Sequence, residues 1–213
     1  MSLSIDIIRE LLRNELPGEN AHLQMSPLGR ERSSDAIRKA TNIKESAVAL
    51  VLYRSESTIK SVLIQRTLYE GSHSGQVCLP GGKKEPFEKN LTETAQRECV
   101  EETGLSERHL SLIGELTPVY IPVSNYRVSP YVFEYQSTPE FSPDPREVAE
   151  ILPFNIQDIL QRENIKKTDI RVSRDQVLRD VPYFDIQKRV VWGATAVILN
   201  EFKTLCESHF KTL

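Results

Sequence analysis

Two neighbouring stretches decide the reading: Gly81-Gly82-Lys83-Lys84-Glu85-Pro86-Phe87-Glu88 and, after eight intervening residues, Arg97-Glu98-Cys99-Val100-Glu101-Glu102-Thr103-Gly104-Leu105. The first is a glycine turn followed by charged residues and a proline, hence a loop. The second closes a run from Leu91 that predicts a helix over 91–103, ended by Gly104 as a left-handed C-cap. At about 100° per residue, Arg97, Glu101, Glu98 and Glu102 fall near 0°, 40°, 100° and 140°, so they share one arc of that helix. Ala95 and Cys99 lie beside the arc and face the core. Three carboxylates on adjacent turns repel each other and weaken an isolated helix. A hard divalent cation such as Mg²⁺ or Mn²⁺ reverses that effect, because oxygen donors are what it prefers. Arg97, four residues before Glu101, is placed to pair with it and orient it.

An Arg-Glu-Glu-Glu helix face taken alone is usually a solvated charge run. The conjunction is what removes that reading. Seven specified positions (Gly82, Glu88, Arg97, Glu98, Glu101, Glu102, Gly104), each at about 7% frequency, recur by chance on the order of once in a million chains of this length.

Working outward, Ser46–Tyr53 and Ser61–Arg66 predict strands joined by a long polar hairpin loop over 54–60. Residues 110–122, 127–135 and 148–153 predict further strands, and 155–161 a short helix. Residues 166–180 carry no clear period. Short strands at 182–185 and 189–192 precede a final helix over 194–211. At the other end, Ile5, Ile8, Leu12 and Leu16 keep helical spacing until Pro17-Gly18. Residues 19–44 are polar and irregular and predict an arm laid over the surface. Strands alternating with helices imply an α/β fold. Residues 1–45 then form a helix and arm packed on one domain of residues 46–213.

The 213 residues carry 27 Lys+Arg against 30 Asp+Glu, a net charge of −3, which excludes the basic footprint of a duplex nucleic-acid binder. The longest apolar run, Ala47–Tyr53, has seven residues and is too short to cross a bilayer, which needs about 20. Cys78, Cys99 and Cys206 are an odd number without a CxxC pair, so neither a disulfide framework nor a zinc site is expected. With no signal-peptide pattern at the start, the expectation is a cytoplasmic protein with a small-molecule partner, not a membrane or nucleic-acid one.

The glycine loop and helix together resemble the Nudix box, G-x5-E-x7-R-E-U-x-E-E-x-G-U with U aliphatic. Gly82 and Glu88 keep the usual gap, eight residues separate Glu88 from Arg97, and Cys99 stands where an aliphatic residue is usual. The longer gap is similar to that of the coenzyme A pyrophosphatase branch of the Nudix hydrolases. Upstream, Leu63-Ile64-Gln65-Arg66-Thr67, Gly75 and Leu79-Pro80-Gly81-Gly82 resemble that branch's pattern L-L-T-x-R-S-x3-R-x3-G-x3-F-P-G-G. Gly71 stands where its second basic residue is usual, and Leu79 replaces its aromatic. Val181-Pro182-Tyr183-Phe184 and Val191-Trp192-Gly193-Ala194-Thr195-Ala196 resemble its closing segment, so the likeness runs from about His22 to Phe202.

The resemblance implies an α/β/α sandwich with a mixed β-sheet and a loop-helix-loop catalytic motif. It implies metal-dependent hydrolysis of the diphosphate of coenzyme A or a derivative, giving 3′,5′-ADP and 4′-phosphopantetheine. The alternatives are another nucleoside diphosphate linked to X, such as ADP-ribose, and a non-catalytic nucleotide sensor, which would carry a degraded box. Glu98, Glu101 and Glu102, with the Gly82 carbonyl, are the expected metal ligands. Glu98 or a carboxylate outside the box, Glu147 or Glu150, is the expected base, with Arg97 and Glu101 beside it. Arg66, Gly81, Lys83 and Arg127 are the candidate substrate contacts, since each adjoins the loop or a strand end near it. Lys84 and His73 read as solvated. Trp192 reads as a core anchor in preference to a base-stacking platform.

Overall fold

A computed structural model of the chain describes residues 3–68, 74–172 and 176–211. Three short helices, α1 (Ile5–Leu11), α2 (Gly18–Gln24) and α3 (Ser33–Ile37), come first. Strands β1 (Lys44–Ser55), β2 (Thr58–Arg66), β3 (Val77–Cys78) and β4 (Gly81–Lys83) lead to helix α4 (Leu91–Thr103). Then follow β5 (Leu110–Glu115), β6 (Val119–Ile121), β7 (Tyr126–Tyr135), β8 (Val148–Asn155) and α5 (Ile156–Leu160). The last elements are β9 (Ile165–Arg171), β10 (Val177–Ile186), β11 (Arg189–Val191) and the long α6 (Gly193–Lys211). None of the described helices is long and apolar enough to cross a membrane.

The large sheet is mixed: β1 and β7 run parallel from Lys44↔Tyr126 to Tyr53↔Tyr135, and its other pairs are antiparallel. β1 is the axis of the site. Its C-terminal end pairs with β2, whereas its N-terminal end pairs with β4, with Ala47 opposite Gly82 and Val48 opposite Gly81. The glycine loop is thereby built into the sheet. Side chains of β1 alternate between two cores, as a strand buried on both faces requires. Ala47, Ala49, Val51 and Tyr53 pack with Ala95 and Cys99 of α4. Leu50 and Leu52 face the other way, among Ile198, Phe202 and Leu205 of α6 and Ile5 and Ile8 of α1. The α4 side is lined by small residues on both elements, which lets the helix lie close to the sheet and fixes its polar edge against β4.

Several sequence readings need correction. The arm over 19–44 carries α2 and α3, which the polar composition hid. Helix α2 buries Ala21 and His22, and its start is held by Glu201 of α6. That carboxylate is completely buried and accepts from the Gly18 N–H (3.0 Å), His22 Nε2 (2.9 Å), the Thr117 N–H (3.1 Å) and Thr117 Oγ1 (2.6 Å). The long loop expected between β1 and β2 is a two-residue turn, since Ser55 pairs with Thr58 and Glu56 takes φ +54°. The single strand over 110–122 is split at Pro118 into β5 and β6. Within the unassigned stretch 166–180, residues 166–171 belong to β9 and 177–180 to β10 of a small antiparallel sheet ordered β11-β10-β9. The exposed, charged β9 offers no apolar alternation to read.

Gly104 ends α4 at φ +73°, and its N–H bonds the Val100 carbonyl at 2.9 Å. A Cβ there would lie 2.4 Å from the Ser142 carbonyl oxygen. Gly104→Ala is expected to cost at least about 1–2 kcal/mol from the left-handed backbone alone. The chain around Ser142, whose N–H bonds the Thr103 carbonyl at 2.9 Å, would have to move as well. A thermal melt should therefore fall by roughly 2–4 °C for each kcal/mol, and an unchanged melt would contradict this packing.

Candidate active site

Helix α4 starts where the Asn90 side chain accepts from the Glu93 N–H (2.9 Å), so the charged arc lies between two firm caps. Arg97 is its hub. Nε donates to Glu88 (2.8 Å), Nη1 to Glu101 (2.8 Å), and Nη2 to the Lys83 carbonyl (3.2 Å) while pairing with Glu98 (2.9 Å). One guanidinium therefore ties the glycine loop to the carboxylate face, using the fork that a lysine lacks. Burial alone would raise the Glu88 carboxyl, but bonds from Arg97, the Glu85 N–H and Thr94 outweigh it and hold it below the usual range.

The three box carboxylates differ in exposure. Glu101 is 56% exposed, Glu98 14% and Glu102 only 1%. Glu102 accepts from the Gly81 N–H (2.7 Å) and from Arg66 (2.9 Å). Burial, helped by the charges of Glu98 and Glu147, still pushes its carboxyl up to about 7, against those two bonds. Burial also raises Glu98, with Glu101 and Glu147 adding to it and Arg97 opposing. Glu147 thus sits within electrostatic reach of both. Glu150 does not join them, being paired with Arg189 of β11 at 2.5 Å.

As they are held, no three Asp, Glu, His or Cys side chains among the described residues form a ready metal cage. The donor chemistry nevertheless fits a hard cation. Glu98 lies so close to Gly82 that a Cβ at 82 would stand 2.4 Å from its carboxylate, so only glycine brings backbone and carboxylate together here. Burial raises Glu98 and Glu102, and the negative charge of the neighbouring carboxylates that adds to it is what a divalent ion would neutralise.

Beyond Arg66 and Gly81 a cleft of about 920 Å³ opens. Its apolar walls include Val48, Leu79, Val128, Leu178, Trp192 and Ile198. Trp192 is half-buried on this wall, not a core anchor. Cys78 also lines the cleft, but burial pushes its thiol up to about 12, so it is no nucleophile at neutral pH. Arg30, from the arm between α2 and α3, and Arg171 of β9 face the same space. Sequence reasoning missed Arg30, which sits in a polar stretch without period or motif.

Arg66 and Gly81 are thus brought to the cleft, and Lys83 and Arg127 are not among its lining residues. Lys83 pairs with Glu85 at 3.3 Å, and Arg127 with Glu45 at 3.7 Å. Gly71 and His73 lie outside the described residues.

The model of the NUDIX domain matches residues 44–176. The uncharacterized Nudix hydrolase NudL of Photorhabdus laumondii is 29% identical over 165 residues, covering 77% of this chain and 86% of its own. The protein of the same name from Yersinia pestis is 29% identical over 161 residues, 76% of this chain and 78% of its own. Among solved structures, the M. smegmatis Nudix hydrolase RenU aligns with a TM-score of 0.52 at 11% identity, over 86% of this chain and 95% of its own. A Nudix hydrolase from Nitrosomonas europaea aligns with a TM-score of 0.51 at 18% identity, over 81% and 74%. Sheet, glycine loop, capped carboxylate helix and family match converge: the chain belongs to the Nudix family, whose hydrolases generally use divalent metal ions, and it is a pyrophosphohydrolase acting on phosphoanhydride bonds.

Proposed function

We propose that the enzyme hydrolyses the diphosphate of coenzyme A or a coenzyme A derivative, releasing 3′,5′-ADP and 4′-phosphopantetheine. The observation that carries this reading is the cleft lined by Arg66 and Gly81, the two groups that bond Glu102, and apolar along walls that include Trp192 and Ile198. A substrate with a nucleotide at one end and a long, weakly polar arm at the other suits both parts. The resemblance of Leu63–Gly82 to the coenzyme A branch supports it independently.

In this proposal Glu98, Glu101 and Glu102, with the Gly82 carbonyl, would hold Mg²⁺ or Mn²⁺. When bound, such an ion neutralises charge on the diphosphate and makes water a stronger nucleophile. Arg97 keeps Glu98 and Glu101 in place and anchors them to the loop through the Lys83 carbonyl. Glu98 takes the proton of the attacking water, being the carboxylate pressed against Gly82. Arg66 holds Glu102 and lines the cleft with its guanidinium side chain.

Parallel initial rates on coenzyme A, dephospho-coenzyme A, ADP-ribose and a dinucleoside polyphosphate, at one Mg²⁺ concentration, test the assignment. The highest kcat/KM is expected for coenzyme A. A higher value for ADP-ribose or the dinucleotide overturns the substrate and leaves the phosphoanhydride chemistry intact.

A further inference from the structure

Arg30 is a half-buried arginine on the wall of the cleft, and no carboxylate pairs with it among the described residues. Among the described residues its guanidinium bonds the Tyr120 carbonyl alone, at 3.0 Å. The acidic residues of its own segment are taken. Glu31 pairs with Lys39 (2.6 Å), and Glu19 accepts from the Ser34 N–H (2.6 Å) and Oγ (2.7 Å). Burial pulls the Arg30 guanidinium below its ordinary pKa, with no anion to offset it. A desolvated cation is costly unless something negative meets it, and the free side of this one faces an open cleft. The position also lies in the arm, outside the segment 44–176 that the family model matches.

We propose that Arg30 forms a second anion subsite of the cleft, binding a phosphate monoester that the substrate carries apart from its diphosphate. The proposal rests on the cleft being the substrate site, and on the coenzyme A reading only for the choice of probe. Arg30 is then a specificity residue: it selects nucleotides that bear an additional phosphate and takes no part in bond cleavage. The guanidinium fork suits two oxygens of one phosphate, and Arg171 of β9 lines the same space.

Calorimetric titration of the Mg²⁺-loaded protein with adenosine 3′,5′-bisphosphate and with AMP, which differ by one phosphate monoester, tests it. The wild type is expected to bind the bisphosphate ~10- to 100-fold more tightly, the range of one charge-assisted contact. In Arg30→Gln that ratio should fall to about 3-fold or less, with AMP affinity and melting temperature unchanged; Arg30→Lys should retain an intermediate ratio. A parallel KM measurement should show the loss on coenzyme A and not on dephospho-coenzyme A, with kcat unaltered. A wild type without preference, an unchanged ratio in Arg30→Gln, or equal weakening of both nucleotides overturns the proposal. If coenzyme A is not cleaved but the ratio collapses as described, the substrate assignment falls and the subsite stands.

Discussion

Glutamine at position 98 is expected to lower kcat by about 10²–10⁴, or roughly 3–5 kcal/mol of barrier. The substitution is nearly isosteric, so it leaves no cavity in a side chain that is 14% exposed and packed against Gly82. It removes the negative charge that would both take a proton and hold a cation. The new amide also turns a donor toward a site where Arg97 now pairs with the carboxylate at 2.9 Å. Glu85→Gln is the control, because among the described residues the Glu85 side chain pairs with Lys83 alone, at 3.3 Å, and the variant should stay within a few-fold of wild type. Steady-state rates at saturating substrate decide it: a Glu98→Gln enzyme that keeps more than a tenth of wild-type kcat removes Glu98 from the chemistry.

The second large effect is on stability. Arg97→Met leaves Glu88, whose side chain is 3% exposed, without its cation. Breaking a buried pair by deleting one partner costs about 3–5 kcal/mol, since the survivor is left charged and desolvated. The melt should fall by roughly 6–20 °C. Adding Glu88→Gln to Arg97→Met should recover part of the loss, and a double variant as unstable as the sum of both singles would contradict the pairing. The same pair sets an acid response. Glu88 is held below its ordinary value, so the stability it contributes is complete above its unfolded pKa near ~4.3 and is lost as pH falls through the folded one. Denaturation curves of Glu88→Gln should accordingly depend less on pH below about 4.

Helix α4 was legible because everything that makes it is local: the Asn90 cap, the buried Ala95 and Cys99, the left-handed Gly104 and the charged arc all fall within fifteen residues. The parallel pairing of β1 with β7 was not, because Ala47 meets Ser129 across chain that no local pattern reports. Nearness in sequence misled in the same way. Lys83 and Arg127 adjoin the loop or a strand end, yet their charges pair with Glu85 and Glu45 and neither residue lines the cleft. Arg30 is the converse, brought to the cleft by an arm whose own course depends on tertiary contacts.

That arm is tethered through Glu201. The carboxylate gathers the start of α2, the link between β5 and β6, and the middle of α6 into one dry knot with no spare oxygen facing water. In the proposed reading of Arg30, recognition lies on a piece of chain separate from the carboxylate helix, but not on a detachable one. A graft that exchanged the arm for another sequence would have to bring donors matching Gly18 and His22, or strand a buried negative charge. Substrate range in such a scaffold can drift by single changes around the cleft far more easily than by wholesale replacement of the arm.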